Sequence, residues 1–186
     1  SYQGQPCGSL GDIATTSFFP AKPLGCYGDG GAVFTDDEQV AEKLRSIRVH
    51  GKGPGGKYDN IRIGMNSRLD TLQAAVLLSK LEALCSHERN DRQTIAQRYN
   101  DAFDKFLQTP YVAQGNHSIY AQYALLAKDT QQRETILAKL KENGIPSLIY
   151  YPTPQHRLPL FTDISDYAES FETAVDYCSR TFSLPM

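Results

Sequence analysis

Lys22 is the residue whose surroundings point most directly to chemistry. It stands in Ser17-Phe18-Phe19-Pro20-Ala21-Lys22-Pro23-Leu24-Gly25-Cys26-Tyr27-Gly28-Asp29-Gly30-Gly31-Ala32. Pro20 and Pro23 stop any helix or strand from running through the lysine. Gly25, Gly28, Gly30 and Gly31 open backbone angles closed to other residues. The amine therefore sits on a stiff, shaped turn. Thr15, Thr16 and Ser17, just before it, carry hydroxyls of the kind that hold a phosphate. A lysine fixed beside such hydroxyls suits covalent attachment to pyridoxal phosphate. A hairpin with a solvated lysine in a Gly/Pro-rich turn accounts for the same spacing.

A second block follows, Gly64-Met65-Asn66-Ser67-Arg68-Leu69-Asp70-Thr71-Leu72-Gln73-Ala74-Ala75. The two blocks, in this order, resemble the signatures of the sugar-nucleotide aminotransferases of the DegT/DnrJ/StrS type, a branch of the fold-type-I pyridoxal phosphate enzymes. The resemblance implies that Lys22 holds the cofactor and then moves the substrate proton as general base and acid. Dehydratases of the same family carry a His there, so a lysine argues for transamination. Ser17 matches the position whose hydroxyl binds the cofactor phosphate. Asn66 matches an Asn that reaches the phosphate of the neighbouring subunit, although an Asn before a helix is also a common N-cap. Arg68 matches a position near the substrate, where a guanidinium fork suits a carboxylate; a salt bridge in the first helical turn is its ordinary role. Tyr150-Tyr151-Pro152 resembles a stretch lining the sugar pocket, with Tyr151 inside. Relatives acting on 3-oxo-glucuronate sugars are expected to carry a His where Tyr150 stands, which argues against a uronic acid. His50, with Lys52 and Lys57, is a further candidate for an anionic ligand.

The implied activity is transfer of an amino group, from L-glutamate, to a UDP- or dTDP-linked keto-sugar, making an amino sugar for surface glycans. The implied partner is a second copy of the chain, in a homodimer with shared active sites. The rival readings are a pyridoxal phosphate enzyme acting on another keto-substrate, and a non-catalytic regulatory or binding protein that kept the fold. Ser1 resembles the last residue of a family stretch whose aspartate pairs with the pyridinium nitrogen. Ser183–Met186 resembles a strand that continues further. The chain therefore reads as the second half of a longer enzyme, trimmed at both ends.

Composition narrows the classes. A net charge of −2 gives no electrostatic case for nucleic acid or an anionic membrane. No apolar run nears the roughly 18 residues that span a bilayer. Cys7, Cys26, Cys85 and Cys178 lack CxxC or zinc spacing. They read as reduced thiols of a cytoplasmic protein, and no metal site is expected.

The elements that must position these residues can be read in order. Ile13–Phe19 and Gly31–Thr35 are β-prone, and Asp36–Val49 is a helix capped by Thr35 or Asp36. His50–Lys57 is a flexible loop by composition. Arg68–Phe106 is helical, with a looser pattern near Cys85–His87. Ser118–Ala127 alternates as a strand, Thr130–Asn143 is a helix capped by Thr130, and Pro146–Tyr151 is a second strand. Gln155–Asp163 is a loop, Asp166–Thr181 a helix, and Phe182–Leu184 a short strand. The expected fold is α/β of the fold-type-I aminotransferase kind. Residues 1–85 would be a remnant of the large mixed-sheet α/β/α domain, 86–106 a linking helix, and 107–186 a small C-terminal α+β domain.

Overall fold

The β-prone runs on either side of the lysine turn pair with each other in the computed structural model, which describes residues 1–161 and 171–186. Strand β1 (Ala14–Ser17) runs antiparallel to β2 (Gly31–Phe34), with Ala14 opposite Phe34 and Ser17 opposite Gly31. Helix α1 (Glu38–Ile47) follows, capped by Asp37, whose Oδ1 accepts from Gln39 N and Val40 N over 2.7 and 3.1 Å. Neither Thr35 nor Asp36, the two expected caps, holds the helix end; Thr35 instead donates to Asp12 O over 2.8 Å. A carboxylate at the positive end of the helix dipole is the stronger acceptor, and the hydroxyl is already engaged.

Helix α2 (Thr71–Ala83) begins at Asp70, whose carboxylate accepts from Leu72 N over 2.9 Å. Three residues that the pattern assigned to the helix, Arg68 to Asp70, thus lie before it. A π-helical turn (Leu84–Glu88) then widens the helix where its apolar repeat loosens, and α3 (Arg89–Phe103) continues beyond it.

The chain divides into two compact units, Ser1–Arg89 with Ala113–Ser118, and Asn90–Val112 with Ile119–Met186. Residues 113–118 join the first unit through its opening residues. The Ser1 amino group donates to His117 O over 2.7 Å, and Gln3 N to Asn116 Oδ1 over 2.8 Å.

In the second unit β3 (Tyr123–Leu126) pairs antiparallel with β4 (Thr181–Leu184), Tyr123 opposite Leu184 and Leu125 opposite Phe182. The strand is shorter than the alternation of Ser118–Ala127 suggests. Tyr120 turns into the left-handed region at φ +46°, with its carbonyl held by Arg92, and so interrupts the extended run. Pro146–Tyr151, expected as a strand, makes a single bridge, Leu148 with Ser183. Helix α4 (Thr130–Glu142) is capped by Asp129, not Thr130; the Thr130 hydroxyl donates to Ser179 O over 3.2 Å. Gln155–Arg157 and Pro159–Phe161 are single 3-10 turns. Helix α5 (Glu172–Arg180) ends one residue before the expected Thr181, which opens β4. Phe171, expected within it, stands before it in the left-handed region at φ +42°, and residues 166–170 of the expected helix lie outside the described residues.

The core of this unit is Ala96, Tyr120, Tyr123, Leu125, Ala127 and Phe182, flanked by Tyr99 and Phe103 of α3 and Ile136, Leu137 and Leu140 of α4. Tyr123 is fully buried and donates its hydroxyl to Asn100 Oδ1 over 2.6 Å. Burial, reinforced by Tyr120, Tyr99 and Asp104, pushes its phenol from 10.0 up to about 12. The folded unit therefore keeps a proton that the unfolded chain loses. This stability is complete below pH 10 and falls away as pH rises toward 12. We expect a loss on the order of 2 kcal/mol over that window, since one pKa unit is worth about 1.4 kcal/mol. Urea unfolding at pH 9 to 12 checks it against Tyr123→Phe. That variant starts lower because Asn100 loses a donor, and the difference between the two profiles should close as pH rises.

Candidate active site

Three main-chain bonds shape the lysine loop: Phe18 N to Gly30 O (2.8 Å), Cys26 N to Phe18 O (2.7 Å) and Lys22 N to Phe19 O (2.8 Å). The last closes the Phe19-Pro20-Ala21-Lys22 turn that the prolines dictate. Gly25 lies against the start of this turn, where a Cβ would stand 2.6 Å from Pro20 O and 2.7 Å from Phe19 O. Only glycine fits there, so the loop folds back on itself. Cys26 is fully buried beside Gly30 and serves packing.

On this loop the Lys22 side chain is half-buried, and no hydrogen bond or ion pair holds its amine among the described residues. Ser17, at the end of β1, accepts from Phe19 N through Oγ over 3.2 Å. That contact uses a lone pair and leaves the hydroxyl proton to give to an anion. Thr15 and Thr16 are exposed on the same strand.

Asn66, Arg68 and His50 come together through a second stretch of main-chain pairing. Met65 N donates to Ile47 O, His50 N to Met65 O, and Ser67 N to Arg48 O, over 2.8, 3.0 and 2.9 Å. Gly64 is required at the crossing, because a side chain there would strike the backbone of Gly51. Asn66 pairs with Val49, beside His50 in its left-handed conformation at φ +60°. Asn66 does not cap α2, a role filled by Asp70. Instead its Oδ1 accepts from Arg68 over 3.1 Å. A guanidinium can only donate, so this contact fixes the carboxamide with Nδ2–H₂ facing away, ready for an acceptor. Arg68 makes no ion pair among the described residues, and both side chains are exposed. His50–Lys57, read as a flexible loop from composition, is tied down by a residue that follows it: Asp59 accepts from Gly53 N through its main-chain carbonyl and from Gly55 N through its carboxylate, both over 2.6 Å. Tyr151 belongs to the second unit, exposed, with its ring edge-on to Tyr150 at 5.6 Å.

Sequence reasoning missed two residues that touch the lysine loop. Gln73 accepts from Tyr27 N and Lys80 donates to Gly25 O, each over 2.8 Å. Gln73 stands in the second block without a role assigned to it, and Lys80 shows only as a polar residue seven further along a mostly apolar helix. An unpaired half-buried amine on a preformed turn, a hydroxyl with a free proton and a carboxamide presenting N–H donors are the groups that a phosphorylated aldehyde requires. The donor set fits pyridoxal phosphate.

Comparison with known proteins gives the chain's relatives. The chain is 41% identical over its whole length to a UDP-2-acetamido-2-deoxy-3-oxo-D-glucuronate aminotransferase of Pseudomonas aeruginosa, covering 50% of that protein. A DegT DnrJ EryC1 StrS aminotransferase from Brucella abortus matches 99% of the chain at 46% identity and a TM-score of 0.89, over 48% of its own length. S. venezuelae DesV, solved in complex with a ketimine intermediate, matches the whole chain at 33% identity and a TM-score of 0.89, over 49% of its length. The chain thus spans about half the length of these relatives, and the fold-type-I aminotransferase architecture expected from the motifs holds. The DegT/DnrJ/EryC1/StrS model matches residues 1–186, so the two signatures around Lys22 and Asn66 mark a resemblance that runs through the whole chain: it belongs to the DegT/DnrJ/EryC1/StrS aminotransferase family.

Proposed function

We propose that the protein carrying this chain transfers an amino group, from L-glutamate, to a nucleotide-linked keto-sugar with pyridoxal phosphate as cofactor. The observation that carries the reading is the unpaired, half-buried Lys22 amine on a turn that only Gly25 can complete. When bound, pyridoxal phosphate supplies an electron sink for the carbanion left at the donor carbon. Lys22 Nζ would hold the cofactor and, once released, would take the proton from that carbon and give it to C4′ of the cofactor. The Ser17 hydroxyl donates to the phosphate. Arg68 keeps the Asn66 carboxamide turned so that Nδ2 donates, and also meets a substrate carboxylate.

The substrate class is supported by charge. Arg45, Arg48, Lys52, Lys57, Arg62 and Arg68 crowd one segment whose single acid, Asp59, is spent on Gly55. None of these cations forms an ion pair among the described residues. Such a field draws a nucleoside diphosphate. Tyr150, in place of the His expected for uronate sugars, favours a keto-sugar without a carboxylate; Tyr151 meets the sugar, and His50 an anionic group of the substrate. The enzyme works in the cytoplasm as a homodimer, with Asn66 serving the partner's phosphate. Ile13, Val33, Leu72 and Leu78, left exposed in the first unit, support an assembly that covers them. Addition of L-glutamate to the intact protein should shift the cofactor absorbance band, and an unchanged band would overturn the reading.

Sharing across the dimer has its own test. Intact Lys22→Ala and Asn66→Ala proteins should each be inactive, and their co-expression should restore part of the activity, because a mixed dimer holds one site free of both changes. Mixed dimers that form yet stay inactive would place Asn66 outside the partner's site.

A further inference from the structure

Beyond its own main-chain bonds, the loop carrying Lys22 is fastened from outside by one face of α2. Lys80 Nζ donates to Gly25 O and Gln73 Oε1 accepts from Tyr27 N, each over 2.8 Å. Seven residues apart, the two side chains lie two turns apart on the same helix face. They reach the loop three and five residues after Lys22.

The chemistry of the Lys80 contact is unusual for packing alone. Among the described residues no carboxylate neutralises the half-buried ammonium. It rests on a main-chain carbonyl and lies 5.7 Å from the centre of the Tyr27 ring. An apolar side chain would fill such a place at less desolvation cost. Gly25 is itself buried and tight against Pro20 O, so its carbonyl has little freedom to find another donor. Gln73 does the complementary task, giving an acceptor to a main-chain N–H at the exposed Tyr27.

We propose that Lys80 and Gln73 are positioning residues for Lys22: together they fix the backbone of residues 22–27 so that the lysine amine is presented in one orientation. This deepens the cofactor role proposed for Lys22 and rests on it. Neither side chain reaches the reacting atoms; both act through the loop.

The test uses the intact protein stripped of cofactor, with Lys80→Met, Lys80→Arg and Gln73→Leu. Two readouts are amide hydrogen exchange across residues 18–31 and the rate at which trinitrobenzenesulfonate modifies Lys22. Lys80→Met and Gln73→Leu should speed exchange in that peptide about tenfold, as expected when one fastening bond of a local unit is lost, and alter Lys22 labelling severalfold. Exchange within α2 should be unchanged, and Lys80→Arg, which keeps N–H donors, should restore the wild-type pattern. Wild-type exchange and labelling in Lys80→Met would overturn the proposal, and so would protection lost equally through α2, the mark of a packing role. Borohydride reduction of the cofactor-loaded protein tests the underlying reading separately. A pyridoxyl group on any lysine other than Lys22 overturns that reading, whatever the exchange data say of the fastening.

Discussion

Lys22→Ala in the intact protein is expected to slow amino-group transfer by on the order of 10⁴-fold, the upper range for a positioned general acid and base. Lys22→Arg should fare no better, because a guanidinium does not give up its proton to become a nucleophile or base. The loss should be chemical and not structural. The bonds that shape the loop, Lys22 N to Phe19 O and Cys26 N to Phe18 O, are main-chain bonds that alanine keeps. The side chain itself holds no partner among the described residues. Stability should therefore stay within about 0.5 kcal/mol of wild type. Single-turnover measurement of the glutamate half-reaction, alongside thermal unfolding, separates the two effects. A small primary amine added to Lys22→Ala should recover part of the rate by standing in for the missing base. A variant that kept a tenth of the wild-type rate would remove Lys22 from the chemistry.

Phe182→Ala should lower the stability of the second unit by about 3–5 kcal/mol, the range for emptying an aromatic site in a packed core. Phe182 is 1% exposed, sits opposite Leu125 in the sheet and belongs to the same buried cluster as Tyr123 and Ala96. Main-chain pairing holds it on β4 while α3 and α4 close over it, so the surroundings have little room to collapse into the space left. A domain of ordinary stability would lose a large share of its margin. Leu148→Ala is the control: at 59% exposed, Leu148 should cost no more than about 1 kcal/mol. Urea unfolding of both variants reads the difference. Equal losses would show that the packing energy does not reside in the cluster around Phe182.

What the sequence disclosed was what depends on near neighbours. Pro20, Pro23 and Gly25 announce their turn because fixed φ and a missing side chain act within a few residues. The π-helical turn at Leu84–Glu88 was visible as a lapse in the apolar repeat around Cys85–His87. Helix caps misled in a consistent way. Thr35 and Thr130 both look like caps, yet each gives its hydroxyl to a distant carbonyl, Asp12 O and Ser179 O, and a nearby aspartate takes the helix end. The strand read over Ser118–Ala127 failed at Tyr120, whose left-handed turn is not a tyrosine preference but is held from α3 by Arg92. Gln73 and Lys80 stayed hidden because their partners are main-chain atoms 46 and 55 residues away, and a peptide group carries no letter of its own. Asn66 and Arg68 could be named from their motif, but the direction of the carboxamide required the 3.1 Å contact between them.

The pairing of β3 sets a timetable for synthesis. One edge of the strand finds its neighbour early, since Leu126 exchanges both main-chain bonds with Gln108, which leaves the ribosome before it. The other edge waits for Thr181–Leu184, with residues 127–180 still to be made. At roughly 5–20 residues per second, that interval lasts some seconds, far longer than the microseconds in which a helix or hairpin forms. Throughout it Tyr123 and Leu125 lie on a strand with an open side and without Phe182 against them. A nascent chain paused before Thr181 is therefore the form of this protein most exposed to capture by chaperones or by another unfinished copy.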